Sequence, residues 1–174
     1  MELQAGRDQR SLDALEKAHA LDPFNVRVDN SLRLVRELLS YATLQSEHFA
    51  VRYRPGIDQI LAAEMLPALE AMYATVTGPS GPGIGFEPAG VDNSGRTLID
   101  LMPDHEWFAV RIAGMPKIHT IAASTGPVVA MEAPREGPGH TGTYDWIRTV
   151  RHEFTHTVTL GRTRNRIPLW FTEA

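Results

Sequence analysis

The segment from His152 to His156, which reads H-E-F-T-H, constrains the fold of this chain more than any other feature. Residues four positions apart share one face of an α-helix, so its two imidazoles become neighbours that can hold one metal ion. The apolar residues around them fall on a single arc of the helical wheel, opposite the histidines: Trp146, Ile147, Val150, Phe154 and Val158. We therefore predict a helix from Asp145 to about Leu160 that buries this arc and turns both histidines towards a cleft.

The residue types of this region suit a catalytic zinc site, which combines three protein ligands with an open fourth position. His152 and His156 supply two ligands, and Glu173, seventeen positions after His156, is the candidate third. Glu153 points about 100° away from the neighbouring ligand and is available as the base for a metal-activated water. The pattern predicts bound Zn²⁺, whereas the plain alternative is two surface histidines beside a solvated glutamate.

Composition narrows the remaining classes of function. The 174 residues contain no cysteine, which excludes disulfides, thiolate ligands and a thiol nucleophile. The formal net charge is −4 and no basic stripe is present, so we expect no nucleic-acid partner. No run of eighteen apolar residues occurs, and we expect no membrane segment in this chain. The sequence does not decide between the cytoplasm and the cell envelope.

Residues 1–45 are predicted to form a helical hairpin, with helices over 11–21, capped by Ser11, and over 26–44. The stretch A-H-A-L-D-P-F-N from Ala18 to Asn25 resembles the end of a tetratricopeptide repeat. Only about one repeat is present, so a repeat remnant and a plain hairpin remain equal alternatives. A remnant would offer a surface to a protein partner.

Residues 46–174 mix strands and helices without strict alternation, which predicts an α+β domain with a mixed, mostly antiparallel sheet packed on helices. Strands are expected over 47–53, 97–102, 117–123 and 127–133, and helices over 58–76 and 104–112, besides the histidine-bearing helix. Asp104 is the expected cap of the second of these. Pro67 predicts a kink or a late helix start.

On its metal-site residues the chain resembles the gluzincin metallopeptidases, the thermolysin-like clan, and in particular bacterial peptidase MA-like domains, which often follow tetratricopeptide repeats. The matching pieces are His152–His156 and P-L-W-F-T-E at Pro168–Glu173, which is similar to the P-x-W-x-x-E-G box of those families. The resemblance implies a zincin-like N-terminal lobe, a peptide or protein substrate, zinc ligation by His152, His156 and Glu173, and Glu153 as general base.

Two departures from the family pattern matter. The chain ends before the glycine that usually follows the glutamate, and it lacks the downstream lobe with the tyrosine or histidine that steadies the oxyanion. We therefore expect a domain truncated at its C-terminus, a fragment of a longer protein. The alternative function is an interaction scaffold whose peptidase-like domain binds metal without activity, and a zinc hydrolase acting on another substrate is a third class.

A weaker likeness lies in the strand V-A-M-E-A at Val129–Ala133. Zinc aminopeptidases carry a G-x-M-E-N strand whose glutamate binds the free amino terminus of the substrate, and only the A-M-E core is matched. The likeness implies a substrate-binding role for Glu132. An ordinary strand is the alternative. His105, His119 and His140 are isolated in the sequence and are expected to be surface or loop residues.

Overall fold

A computed structural model of the protein describes residues 2–78, 95–164 and 166, and within these ranges the fold is α+β, as predicted. The strands are β1 (Ala42–Gln45), β2 (Phe49–Tyr53), β3 (Thr97–Met102), β4 (Ala122–Ser124) and β5 (Val128–Glu132). The α-helices are α1 (Asp8–Leu21), α2 (Val26–Leu38), α3 (Asp58–Thr77), α4 (His105–Ala113) and α5 (Trp146–Thr163), and a short 3₁₀ helix (Leu3–Ala5) precedes α1.

The strands form one mixed sheet in the order β1-β2-β3-β5-β4. The two central pairings, β2 with β3 and β3 with β5, are parallel, whereas both outer pairings are antiparallel. The sheet is mixed, as expected, but it is not mostly antiparallel. The parallel pairings arise because the segments between these strands contain helices that carry the chain back across the sheet.

Helices cover both faces of the sheet. On one face, α3 and α5 pack on alternate strand residues, with Phe49, Val51, Ile99 and Met131 buried beneath them. On the other face, α4 and the N-terminal hairpin share a second core, in which α2 and α4 meet Met102 of β3 and Ala130 of β5. The strands are therefore buried on both sides, as parallel strands usually are.

Charged residues occupy strand positions beneath the hairpin. Arg52 of β2 stands opposite Asp100 of β3 in the parallel register, and both are buried. The guanidinium of Arg52 binds both carboxylate oxygens, at 2.7 Å for Nε to Oδ1 and 2.9 Å for Nη2 to Oδ2. Arg111 of α4 donates from Nε to the same Oδ2 at 2.8 Å, and Asp8 of α1 pairs with Arg52. These four side chains join α1, α4 and the sheet.

The hairpin differs from the prediction at both of its helices. Helix α1 begins at Asp8, one turn before the expected start, so Ser11 is a buried residue inside the helix rather than its cap. Helix α2 ends at Leu38 instead of near residue 44, and Ala42–Gln45 forms β1, which pairs with β2. The predicted domain boundary at residue 45 would therefore place β1 in a different domain from the sheet to which it belongs.

Helix α3 starts at Asp58 and contains Pro67, so the late start is wrong. It is the one helix among the described residues that is long and apolar enough to cross a membrane by length and composition. One of its faces packs against the sheet through Ala62, Met65 and Leu69, which are fully buried. A core helix passes the same length and composition test, so this finding is weak evidence for a membrane span.

Candidate metal centre

Helix α5 carries the H-E-x-x-H segment, and its local sequence explains how it is held. Asp145 caps the helix, because its carboxylate accepts a hydrogen bond from the backbone N–H of Arg148 at 3.0 Å. Val150, Phe154 and Val158 are buried against the sheet, as the apolar arc predicted. Ile147, expected in the same arc, is 41% exposed. At this first turn the partly buried Trp146 packs on the core instead.

The two histidines of α5 point their Nε2 atoms at one another. These nitrogens are 3.0 Å apart, and the rings lie nearly perpendicular, at 87°. Two nitrogens bound to one tetrahedral zinc ion at about 2.0–2.1 Å lie roughly 3.3 Å apart, so the pair is close to the spacing of zinc ligands. His152 is exposed, whereas His156 is only 9% exposed. The donor types and their convergence fit a zinc ion reached from the His152 side.

Glu153 does not point freely into solvent. Its Oε2 accepts a hydrogen bond from the backbone N–H of Ser124 at 2.7 Å, which fixes the carboxylate against the end of strand β4. A charged acceptor makes this bond stronger than a neutral one. No local pattern indicates this partner, because Ser124 lies 29 positions away on another element.

The predicted third ligand, Glu173, lies outside the described residues, together with the rest of the P-L-W-F-T-E segment. Within residues 2–78, 95–164 and 166, no group of three or more histidine, aspartate or glutamate side chains is placed to hold a metal ion. The described part of the site therefore consists of two converging imidazoles and a fixed carboxylate. Ligation by Glu173 stays a prediction.

Glu132, the predicted substrate-binding residue, lies at the end of β5, and 1% of its side chain is exposed. Its Oε1 accepts from the backbone N–H of Thr141 at 2.8 Å, and its Oε2 accepts from the hydroxyl of Thr141 at 2.6 Å. His105 Nδ1 is 2.9 Å from the same Oε2. A substrate amine would have to displace these groups, so the local geometry favours a structural role and the substrate-binding role stays a prediction.

His105 and His140 both lie beside Glu132; His140 lies in a loop, as expected, whereas His105 is the first residue of α4. The Nδ1 of His140 is 3.6 Å from Glu132 Oε1, and His105 Nε2 is 2.9 Å from the carbonyl oxygen of Ile118. Burial opposes the charged form of His105, but the Glu132 carboxylate and the Ile118 carbonyl outweigh burial and raise its pKa. The cluster fixes the loop after β5 to the start of α4.

The chain matches no protein-family model, and no curated protein and no solved structure was found to be similar to it.

Proposed function

We propose that this protein is a zinc-dependent metallopeptidase of the gluzincin type. The observation that carries the proposal is the convergence of His152 and His156 on one point, one helical turn apart, next to a carboxylate held in place. His152, His156 and Glu173 would hold the ion. When bound, zinc supplies Lewis acidity to the attacking water and to the substrate carbonyl.

Glu153 is the proton carrier in this proposal. One of its oxygens is engaged by the Ser124 N–H, and this bond orients the carboxylate along the end of β4. The carboxylate takes a proton from the attacking water and gives it to the departing amine.

A peptide substrate is supported by the position of β4. This strand forms one edge of the sheet among the described strands, and it packs beside α5. An extended peptide can add to such an edge through backbone hydrogen bonds. A peptide aligned there would pass next to Glu153, because Ser124 at the end of β4 already contacts that side chain.

The proposal is tested by metal analysis and hydrolysis together. Purified protein is expected to carry about one zinc per chain and to cleave fluorescent casein in a reaction that a chelator stops. His152→Ala should lose the zinc, whereas His119→Ala, at an exposed histidine outside α5, should keep it. Glu153→Gln should keep the zinc and lose cleavage. Full zinc content in the His152→Ala protein would count decisively against the proposed site.

The alternative is an interaction scaffold with a metal-binding but inactive peptidase-like domain. It is favoured by the turn between α1 and α2, where Leu21 is 88% exposed and Phe24 is 91% exposed. Adjacent exposed apolar side chains are typical of protein contacts. Zinc binding without cleavage, combined with capture of a partner that Phe24→Ser abolishes, would support this alternative over the peptidase.

A further inference from the structure

The turn that joins β4 to β5, residues 125–127, is anchored to the N-terminal segment of the chain. The hydroxyl of Thr125 donates a hydrogen bond to the backbone carbonyl of Gln4 at 2.9 Å, across 121 positions of sequence. Gln4 belongs to the 3₁₀ helix, whose Leu3 is buried with side chains of α2 and α4 in the second core. The contact therefore ties the turn to the core on the face of the sheet opposite α5.

The same turn determines where the N–H of Ser124 points. Thr125 donates its own backbone N–H to the carbonyl of Val128 at 2.8 Å, so these two residues form a hydrogen-bonded pair. In an antiparallel ladder the next pair is not hydrogen-bonded, and here that pair is Ser124 with Val129. The N–H of Ser124 therefore faces away from β5, where it reaches Glu153 Oε2 at 2.7 Å.

The end of β4 depends on contacts from outside the sheet. Among the described strands β4 pairs with β5 alone, and Ser124 is its last residue. The Thr125 hydroxyl lies 3.1 Å from the carbonyl oxygen of Val128 as well, so it bridges the 3₁₀ helix and the first residue of β5. Without this hydroxyl the turn would keep only the bonds of the hairpin itself, and the Ser124 N–H would move more freely against Glu153.

We propose that Thr125 is a positioning residue for the reaction, because its bond to Gln4 holds the end of β4 where the Ser124 N–H orients the Glu153 carboxylate. The inference rests on the proposed function, in which Glu153 carries the proton. Thr125 acts on Glu153 through Ser124. Its loss is therefore expected to slow the reaction without releasing zinc.

Hydrogen exchange of the Ser124 amide, measured by NMR on the full chain as purified, tests the positioning without a substrate. Thr125→Val removes the hydroxyl and should speed this exchange about 3- to 10-fold, as expected for the loss of one hydrogen bond. Thr125→Ser keeps the hydroxyl and should exchange as the parent protein does. Thr75→Val, which removes a hydroxyl-to-carbonyl bond within α3, should leave Ser124 unchanged. Parent-like exchange of Ser124 in Thr125→Val would overturn the proposal.

Ala5→Pro tests the other end of the contact. Ala5 donates its N–H to the carbonyl of Glu2 at 3.1 Å, whereas proline has no N–H and disfavours the helical conformation of the residue before it. The Gln4 carbonyl should therefore be displaced, and Ser124 should exchange as fast as in Thr125→Val. The double variant should exchange no faster than either single variant, since both remove the same contact. Additive effects would show that the two residues act separately and would refute the link.

Cleavage of fluorescent casein gives the second measurement. In Thr125→Val, kcat and kcat/KM should fall together, by about 3- to 10-fold, at unchanged zinc content, because the orientation of the proton carrier matters in the transition state. Thr125→Ser should cleave as the parent protein does. Loss of zinc, or a rise in KM at unchanged kcat, would contradict the positioning role. If the parent protein cleaves nothing, the proposed function fails, and the exchange of Ser124 still decides whether Thr125 fixes the end of β4.

Discussion

Replacing Asp100 with asparagine, which exchanges one oxygen for a nitrogen, tests how the N-terminal hairpin and α4 are held on the sheet. Its two oxygens accept three hydrogen bonds, two from Arg52 and one from Arg111, and all three side chains are buried. In Asp100→Asn one oxygen becomes an amide donor facing guanidinium donors, so Arg111 loses its hydrogen-bonded counter-charge and Arg52 is left with Asp8 alone. Breaking a buried pair in this way costs about 3–5 kcal/mol of unfolding free energy.

The assay is urea denaturation followed by circular dichroism. With a denaturant slope of about 2 kcal/mol/M, the expected cost lowers the unfolding midpoint by roughly 1.5–2.5 M. The matched control is Asp104→Asn, which removes a charge from a helix cap where asparagine serves as well as aspartate. We expect the control to change stability by less than about 0.5 kcal/mol.

The dependence of the unfolding free energy on acidic pH gives a second, independent test of these contacts. Burial alone raises the pKa of Asp100, but the guanidiniums of Arg52 and Arg111 outweigh it and hold the pKa below its ordinary value. The stabilisation by Asp100 is therefore fully present above the unfolded pKa of about 3.9 and is lost as pH falls through the lower folded pKa. The difference in unfolding free energy between the parent protein and Asp100→Asn should narrow only below about pH 4. A cost under about 1 kcal/mol at neutral pH would refute the reasoning.

Three further predictions follow from the other contacts. Phe154→Ala should lower the unfolding free energy by about 3–5 kcal/mol in urea, because the buried ring lies 5.0 Å from that of Phe49, and Phe154→Leu should cost much less. Because the pKa of His105 is raised in the folded protein, its stabilisation is present below the unfolded pKa of about 6.5 and is lost as pH rises through the folded pKa. The unfolding temperature of His105→Gln should therefore lack the fall that the parent protein shows over this pH range. The same dependence of unfolding temperature on pH in both proteins would contradict the assignment. Ser124→Pro removes the N–H that holds Glu153 and should reduce casein cleavage about 10- to 100-fold at unchanged zinc content, whereas Ser124→Ala should cleave normally.

Short-range signals predicted most of the elements. The limits of β3 are those expected from the alternation of T-L-I-D-L-M, and Asp104 and Asp145 cap their helices as predicted. The end of α2 was missed because Leu39 and Ala42 continue the helical spacing. In the structure Leu39 is 48% exposed, and Tyr41 is buried instead. Pairing of Ala42 with Tyr53, a contact between distant segments, decides this boundary.

The site was predictable only in its local part. The spacing of His152 and His156 is fixed by one helical turn, so the sequence was enough to bring them together. The Ser124 N–H that holds Glu153 depends on how β4 pairs in the sheet, which no local pattern encodes. The alternation of apolar and polar residues along the strands predicted that Arg52 and Asp100 would face solvent. They are buried because the hairpin and α4 cover that face.

The ion pair between Asp8 and Arg52 has a consequence for how the protein can be divided. A shorter chain that starts at β1 would keep the five described strands. It would, however, remove the Asp8 carboxylate from Arg52 and expose the apolar side chains of α4 to water. Helices α1 and α2 are therefore part of the same folded unit as the sheet. A chain that lacks them is expected to expose this apolar surface to water and to aggregate more readily than the intact protein.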